Sequence, residues 1–179
     1  PDRSRIRPRA LIKSYFSLLK TPHFLLASLV LTGATGALYT SATIMPFILM
    51  TRVGLSPSQF GMGMLLQTAF YISGGILYRL LMQRLSVFQL SCIGLLCTCS
   101  ASLLLAVLLR IYEPGYLLVM LPMGLFVMGI AFLTPQMTTA ALAPFPQIAG
   151  SASALMGFFQ MGGGLVGGFI SASMGDPVM

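Results

Sequence analysis

Charged residues in this chain are confined to a few short segments. None occurs in residues 24–51, 53–78, 85–109 or 114–175. A bilayer core about 30 Å thick takes about 20 apolar residues of helix, so the first three runs are each one span long and the fourth holds two. Charged residues make up 7% of the chain. Ordinary soluble domains have about 25%, so a soluble domain is excluded.

A proline-rich break divides the last run. The segment APFPQIAG at 143–150 contains two prolines and a glycine, which cannot continue a regular helix. Capping-box spacing occurs at two further helix starts, Ser56 with Gln59 and Ser86 with Gln89. Prolines that fit a first helical position are Pro57 and Pro114. We therefore predict an all-α integral membrane protein with five spans, at 23–50, 57–83, 87–110, 114–142 and 150–173.

Basic residues are distributed unevenly between the two ends of these spans. Eight fall on the side that carries the N-terminus: Arg3, Arg5, Arg7, Arg9, Lys13, Lys20, Arg79 and Arg84. The other side has Arg52 and Arg110. Because short loops rich in Lys and Arg stay in the cytoplasm, we predict a multi-pass protein with a cytoplasmic N-terminus.

The N-terminal segment, residues 1–22, is predicted to be a cytoplasmic linker that precedes a membrane bundle at 23–179. Within it, RALIKSYFSLLK at 9–20 places apolar side chains on one helical face: Leu11, Ile12, Tyr15, Phe16 and Leu19. This pattern is typical of a helix that lies on the membrane surface, and a solvated basic linker is the alternative.

Groups that perform catalysis or hold metals are missing from the predicted spans. No Asp or Glu lies inside any span, and the only histidine, His23, lies at a span edge. The three cysteines, Cys92, Cys97 and Cys99, lack zinc-ligand spacing and are expected to act as small apolar side chains. We therefore expect no enzyme activity, no catalytic residue, no metal site and no cofactor. The basic N-terminus has no DNA- or RNA-binding motif, so nucleic acid is not expected as a partner.

Glycine is concentrated in the last span, where GFFQMGGGLVGG occupies 157–168. A phosphate-binding loop is excluded because it needs a lysine after the glycines, and none follows Lys20. The glycines instead form two overlapping G-x-x-x-G pairs, Gly163 with Gly167 and Gly164 with Gly168, which let another helix approach closely. Gly157 extends this small face. The two interpretations are static packing and a sliding contact between helix bundles.

Two segments carry a family resemblance. The first is PFILMTRVGLSPSQFG at 46–61, and the second is ALAPFPQIAGSASALMGFFQMGGG at 141–164, which contains AGSASAL at 149–155. They resemble the major facilitator superfamily, most closely its bicyclomycin/chloramphenicol-resistance type of drug:proton antiporter. The first segment is similar to the end of the family's seventh helix and the start of its eighth. The second is similar to the loop before the eleventh helix.

The resemblance implies a secondary transporter of the cell inner membrane that exports drugs or small amphipathic molecules in exchange for protons, by alternating access. The family has twelve helices in two six-helix halves. The chain would then correspond to the middle linker and helices seven to eleven, without the first half and the last helix. The expected partners are the lipid bilayer, a drug-like small molecule and the missing N-terminal half. Uptake of a metabolite and a non-transporting receptor or assembly subunit are the alternatives.

The family's cytoplasmic G-x-x-x-D-R-x-G-R motif would fall between Gly74 and Arg84. Gly74 and Arg79 match it, so the resemblance implies packing or gating roles for them. Tyr78 stands in place of the acid and Leu81 in place of a glycine. The gating role of the acid is therefore not carried over to this chain.

Polar side chains within the spans predict the wall of a substrate cavity, because such side chains usually face a bundle interior or water. We expect substrate contacts from Thr35, Tyr39 and Thr43 on the first span, Gln67 and Tyr71 on the second, Gln136 on the fourth, and Phe158 and Gln160 on the fifth. For a single Thr, a hydrogen bond to its own helix backbone is the alternative. The third span has few polar residues, which is typical of a peripheral helix.

Overall fold

A computed structural model describes residues 8–173, so residues 1–7 of the predicted linker and the C-terminal residues 174–179 lie outside the described range. The helices are α1 (Pro8–Leu19), α2 (Pro22–Pro46), α3 (Pro57–Leu81), α4 (Val87–Ile111), α5 (Tyr116–Leu142) and α6 (Ala149–Ser173). Between residues 8 and 173 there is no strand. Helices α2 to α6 are long and apolar enough to cross a membrane. The predicted all-α membrane protein with five spans is therefore confirmed.

Two of the spans begin with a side-chain cap, as predicted. The Ser56 hydroxyl accepts a hydrogen bond from the Gln59 amide at 3.3 Å, and the Gln59 side chain accepts one from the Ser56 amide at 2.9 Å. The pair formed by Ser86 and Gln89 has the same geometry. These caps satisfy amides that have no partner within the first helical turn.

The ends of α5 differ in how well they were predicted. The prediction that Pro114 is its first residue is wrong, because Gly115 is extended, with φ −121° and ψ 158°, and the helix starts at Tyr116. The predicted break after Leu142 is confirmed, and a short 3₁₀ turn at Pro146–Ile148 leads into α6.

The end of α2 has a feature that the sequence did not indicate. After Pro46 the chain continues as a π-helical turn over Phe47–Arg52. The amide of Val53 then bonds the carbonyl of Ile48, five residues earlier, at 3.2 Å. Pro46 has no amide hydrogen and therefore cannot make the regular helical bond, so the widened turn begins where the α-helical ladder is already interrupted.

Helix α5 is the core of the bundle. Of its most apolar stretch, 67% is buried, against 11–33% for the other four spans. Helices α2, α3 and α4 pack around α5, whereas α6 packs mainly along α2. Small residues allow the closest approaches: a Cβ added to Gly74 would lie 3.0 Å from the Met128 carbonyl oxygen, and one added to Gly129 would lie 2.8 Å from the Gly94 carbonyl oxygen. Helix α4 contacts mainly α5 and is peripheral, as predicted.

Helix α1 closes the end of the bundle at which α2 and α6 both begin. It contacts these two helices. Its Leu18 is completely buried in a cluster with Phe24 of α2, Ala141 of α5, and Met156 of α6. Leu18 lies outside the apolar face predicted for this helix, because that face includes its neighbour Leu19 instead.

Candidate functional site

Two of the predicted functional regions approach each other closely where α2 meets α6. A Cβ added to Gly36 would lie 3.1 Å from the carbonyl carbon of Gly163 and 3.2 Å from the amide nitrogen of Gly164. The Thr40 hydroxyl donates a hydrogen bond to the Gly164 carbonyl at 3.3 Å. We call this contact the α2–α6 seam. Its glycines leave no room for a side chain between the two backbones.

The predicted glycine face accounts for part of the seam. A Cβ added to Gly163 would lie 2.6 Å from the Thr32 methyl, and one added to Gly164 would lie 2.7 Å from the Tyr39 Cβ. A Cβ added to Gly167 would meet the Thr40 hydroxyl. The remaining glycines lie at its margin or outside it: Gly168 approaches only the Thr43 hydroxyl, at 3.8 Å, and Gly157 has no atom within 4 Å of an added Cβ. The packing face therefore covers one turn of α6 rather than the whole glycine-rich stretch.

An open groove of about 500 Å³ runs beside the seam. Hydroxyl-bearing side chains from both helices line it, namely Thr32, Thr40, Ser41 and Ser171. Gly33 and Ala37 also line it on α2. Gly33, Ser41 and Ser171 are lining residues that are not among the predicted site residues. The spacing of small residues at 33, 37 and 41, four apart on one helix face, is the signal that points to it.

The predicted threonines of α2 bond to their own helix. Thr35 is buried and its hydroxyl donates to the Leu31 carbonyl at 2.6 Å, and the Thr43 hydroxyl donates to the Thr40 carbonyl at 2.7 Å. These bonds occupy the hydroxyl hydrogens within the helix. Tyr39 is different: 41% of its surface is exposed although it lies against Gly164 in the seam.

Two of the three predicted glutamines lie between helices. Gln67 is buried and its side-chain nitrogen is 3.6 Å from the sulfur of Met120 on α5. Gln136 is buried between α5 and α4: it accepts a hydrogen bond from the Ser91 hydroxyl at 2.6 Å and donates one to the Phe132 carbonyl at 3.2 Å. The structure thus places both side chains in helix contacts, away from the seam.

The other predicted residues are divided between exposed surfaces and helix contacts. Tyr71 is 43% exposed and Phe158 is 71% exposed, while Gln160 is half-buried. Gly74 packs against α5, and Arg79 is exposed near the end of α3. The neighbouring Tyr78, which stands where the family motif has an acid, packs edge-on against Phe132 at a centroid distance of 5.9 Å.

The structure therefore brings together only part of the predicted wall. Tyr39, Gly163, Gly164 and Gly167 meet along the seam, and Thr43 lies at its margin. Within residues 8–173, no group of three His, Cys, Asp or Glu side chains is placed to hold a metal ion. Comparisons with protein-family models, with curated proteins and with solved structures each return no match. The arrangement offers apolar surface, hydroxyl groups and a close helix contact.

Proposed function

We propose that this chain is part of a secondary active transporter that exports drugs or other small amphipathic molecules in exchange for protons. The proposal rests on the sequence resemblance to the major facilitator superfamily, and the structure supplies two supporting observations. In this proposal a further six-helix bundle, the first half of the complete transporter, packs against the five helices described above. Substrate binds between the two bundles.

The observation that carries the proposal is that three spans are similarly poorly covered by the bundle but differ in hydropathy. Helix α4 has the highest mean hydropathy of the five, and α3 and α6 have the lowest, yet the bundle covers only a small part of each. Helix α4 exposes leucines such as Leu96 and Leu103, which suit lipid. The exposed faces of α3 and α6 carry large apolar side chains as well, but they also include Tyr71, Thr68 and Ser153. Polar side chains in membrane spans usually face protein or a water-filled cavity, which supports a second bundle against α3 and α6.

The seam supports the alternating-access part of the proposal. Contacts made by glycine lack interlocking side chains, so two helices can shift relative to each other without a rotamer change on the glycine side. The Tyr39 ring beside Gly164 is exposed and has a polar hydroxyl and an apolar face, which suits an amphipathic substrate. In the proposal, Tyr39 and Gln160 contact substrate, while Gln67 and Gln136 hold helices together.

Proton coupling is assigned to the first half of the transporter. A proton carrier must change its charge inside the membrane. Helices α2 to α6 contain no Asp, Glu or Lys, and their one histidine, His23, lies at the exposed start of α2. The coupling acid then has to come from the other bundle. Substitutions in this half are expected to change drug binding and leave the pH dependence of transport in place.

The test is transport by the complete gene product in inverted membrane vesicles, with ethidium and chloramphenicol as probes. We expect a proton gradient to drive both probes into the vesicles and a protonophore to stop the movement. Gln160→Ala should raise the KM for at least one probe about two- to tenfold, the value of one neutral hydrogen bond, with an unchanged pH profile. Gln147→Ala, in the exposed turn between α5 and α6, is the matched control and should leave the KM unchanged.

Three outcomes would contradict the proposal. Movement of the probes out of inverted vesicles would favour the uptake alternative. No gradient-dependent movement of either probe by correctly inserted protein would favour a non-transporting subunit. Loss of proton coupling with intact drug binding in Gln160→Ala would contradict the assignment of the two roles to the two halves.

A further inference from the structure

Helix α1 is attached to the bundle by one side only. Leu18 is 0% exposed, and Tyr15 packs against the same cluster of α2, α5 and α6 side chains. Only Lys20 and Thr21 separate the end of α1 from the start of the α2 span at Pro22. Because α1 is fixed at this short distance from a membrane-spanning helix, it lies at the boundary between bilayer and water.

The opposite side of α1 is apolar and uncovered. Ile12 is 67% exposed, Phe16 is 60% exposed, and Leu19 continues the row with 41%. These residues follow the i, i+4, i+7 spacing of a single helix face. Next to this row, the Lys20 ammonium lies 4.5 Å from the centre of the Phe16 ring. The exposed apolar face therefore has a cation at its edge.

The charge of the N-terminal segment selects the partner of this face. Residues 3–20 contain six basic side chains and no acidic one. Anionic phospholipid headgroups attract such segments, and each Lys or Arg near the surface adds to the binding. A neutral membrane would be bound through the apolar row alone, without a contribution from these charges.

We propose that α1 is a binding surface for anionic phospholipid, separate from the transport site. Ile12, Phe16 and Leu19 insert between lipid headgroups, and Lys20 contacts their phosphates. Helix α1 also contacts both α2 and α6. Bound lipid therefore restrains the ends at which these two helices start. This proposal does not depend on the transported substrate.

The test uses tryptophan fluorescence, because the chain contains no tryptophan of its own. The full chain carrying Phe16→Trp is placed in nanodiscs of phosphatidylcholine, with or without phosphatidylglycerol, and titrated with acrylamide, a neutral quencher. We expect phosphatidylglycerol to shield the F16W indole and shift its emission to shorter wavelength. Ser17→Trp is the matched control: Ser17 is exposed on the same helix but outside the apolar row, and its indole should stay open to quencher.

A second comparison tests the role of charge. Lys20→Gln in the Phe16→Trp background should lower the ratio of indole shielded from acrylamide to indole accessible to acrylamide about fivefold in the anionic nanodiscs. Arg84→Gln, which removes an exposed charge in the turn between α3 and α4, should not change it. Ile12→Trp provides a second reporter on the apolar row in case Phe16→Trp disturbs the fold.

The quenching results distinguish lipid binding by the apolar row from its selectivity for anionic lipid. Equal quenching of the Phe16→Trp, Ile12→Trp and Ser17→Trp reporters in phosphatidylglycerol nanodiscs would overturn the lipid-binding surface. Equal shielding of the row in neutral and anionic nanodiscs would overturn the anionic selectivity. Shielding that requires phosphatidylglycerol and depends on Lys20 would support the proposal, whether or not the protein transports any drug.

Discussion

Gly33 and Gly36 lie three residues apart on α2 and have opposite surroundings. An added Cβ at Gly36 would press on the backbone of Gly163 and Gly164, whereas one at Gly33 would have no atom within 4 Å. A backbone cannot rotate away from a methyl group as a side chain does. We therefore expect Gly36→Ala to lower the free energy of unfolding by about 1–3 kcal/mol. Gly33→Ala, the control, should leave it unchanged or raise it slightly.

Denaturation of the purified protein in detergent micelles measures both variants. Equal unfolding free energies for Gly36→Ala and Gly33→Ala would show that α2 and α6 are not in the described contact. The comparison needs no transport assay, so it tests the seam by itself.

The hydrogen bond between Ser91 and Gln136 is a second residue-scale feature. It joins peripheral α4 to central α5 at 2.6 Å. Hydrogen bonds between membrane helices contribute about 0.6 kcal/mol on average, so Ser91→Ala should lower the unfolding free energy by about that amount. Ser100→Ala is the matched control, because the Ser100 hydroxyl donates only to the Cys97 carbonyl of its own helix. A larger loss in Ser100→Ala than in Ser91→Ala would contradict the assigned bond.

At the scale of the helices, α6 presents a thin face to α2 and a bulky face elsewhere. Replacing Gly164 by leucine places a side chain against the Cβ of Tyr39, which is fixed to the α2 backbone. If the proposed transporter moves along the seam, Gly164→Leu should abolish transport while membrane insertion survives, since leucine itself favours the bilayer. Gly162→Leu is the control, with no atom within 4 Å of an added Cβ.

The readouts are drug transport by the complete gene product and the amount of inserted protein on a membrane blot. Normal transport by Gly164→Leu would show that the seam does not need to be thin. Loss of transport in Gly162→Leu as well would show that α6 tolerates no added bulk on either face.

The spans themselves were predictable, because charge-free runs, capping boxes and prolines are local signals. The packing order of the spans was not. Helices α4 and α5 have nearly the same mean hydropathy, yet α4 faces outward and α5 is the core. Lipid and the protein interior are equally apolar, so the hydrophobic pattern does not tell a helix that faces lipid from one that faces other helices. Sequence does not separate a cavity wall from a helix contact either: Gln136 is predicted to line a cavity, but its partner is Ser91 on a neighbouring helix.

At the scale of the whole molecule, the predicted orientation puts the turn at Pro146–Ile148 in the cytoplasm and the loop between α4 and α5 outside. We expect a single cysteine at exposed Gln147 to resist an impermeant maleimide added to intact cells, and one at exposed Glu113 to react. Both are made in a background with Cys92, Cys97 and Cys99 replaced by alanine. Permeabilised cells should label at both positions, and the reverse pattern in intact cells would invert the topology.

The central position of α5 has a consequence for biosynthesis. Among the five described spans it is the fourth in chain order, so it leaves the ribosome after α2, α3 and α4. Among the described helices, α2, α3 and α4 have their large contacts with α5 or α6 rather than with one another. Helices α2, α3 and α4 are thus translated before the surface on which they assemble, and we expect close-packing residues such as Gly74 and Gly94 to lack their α5 partner until α5 inserts. We expect elongation stalled upstream of Tyr116 to leave these three helices without their main packing surface.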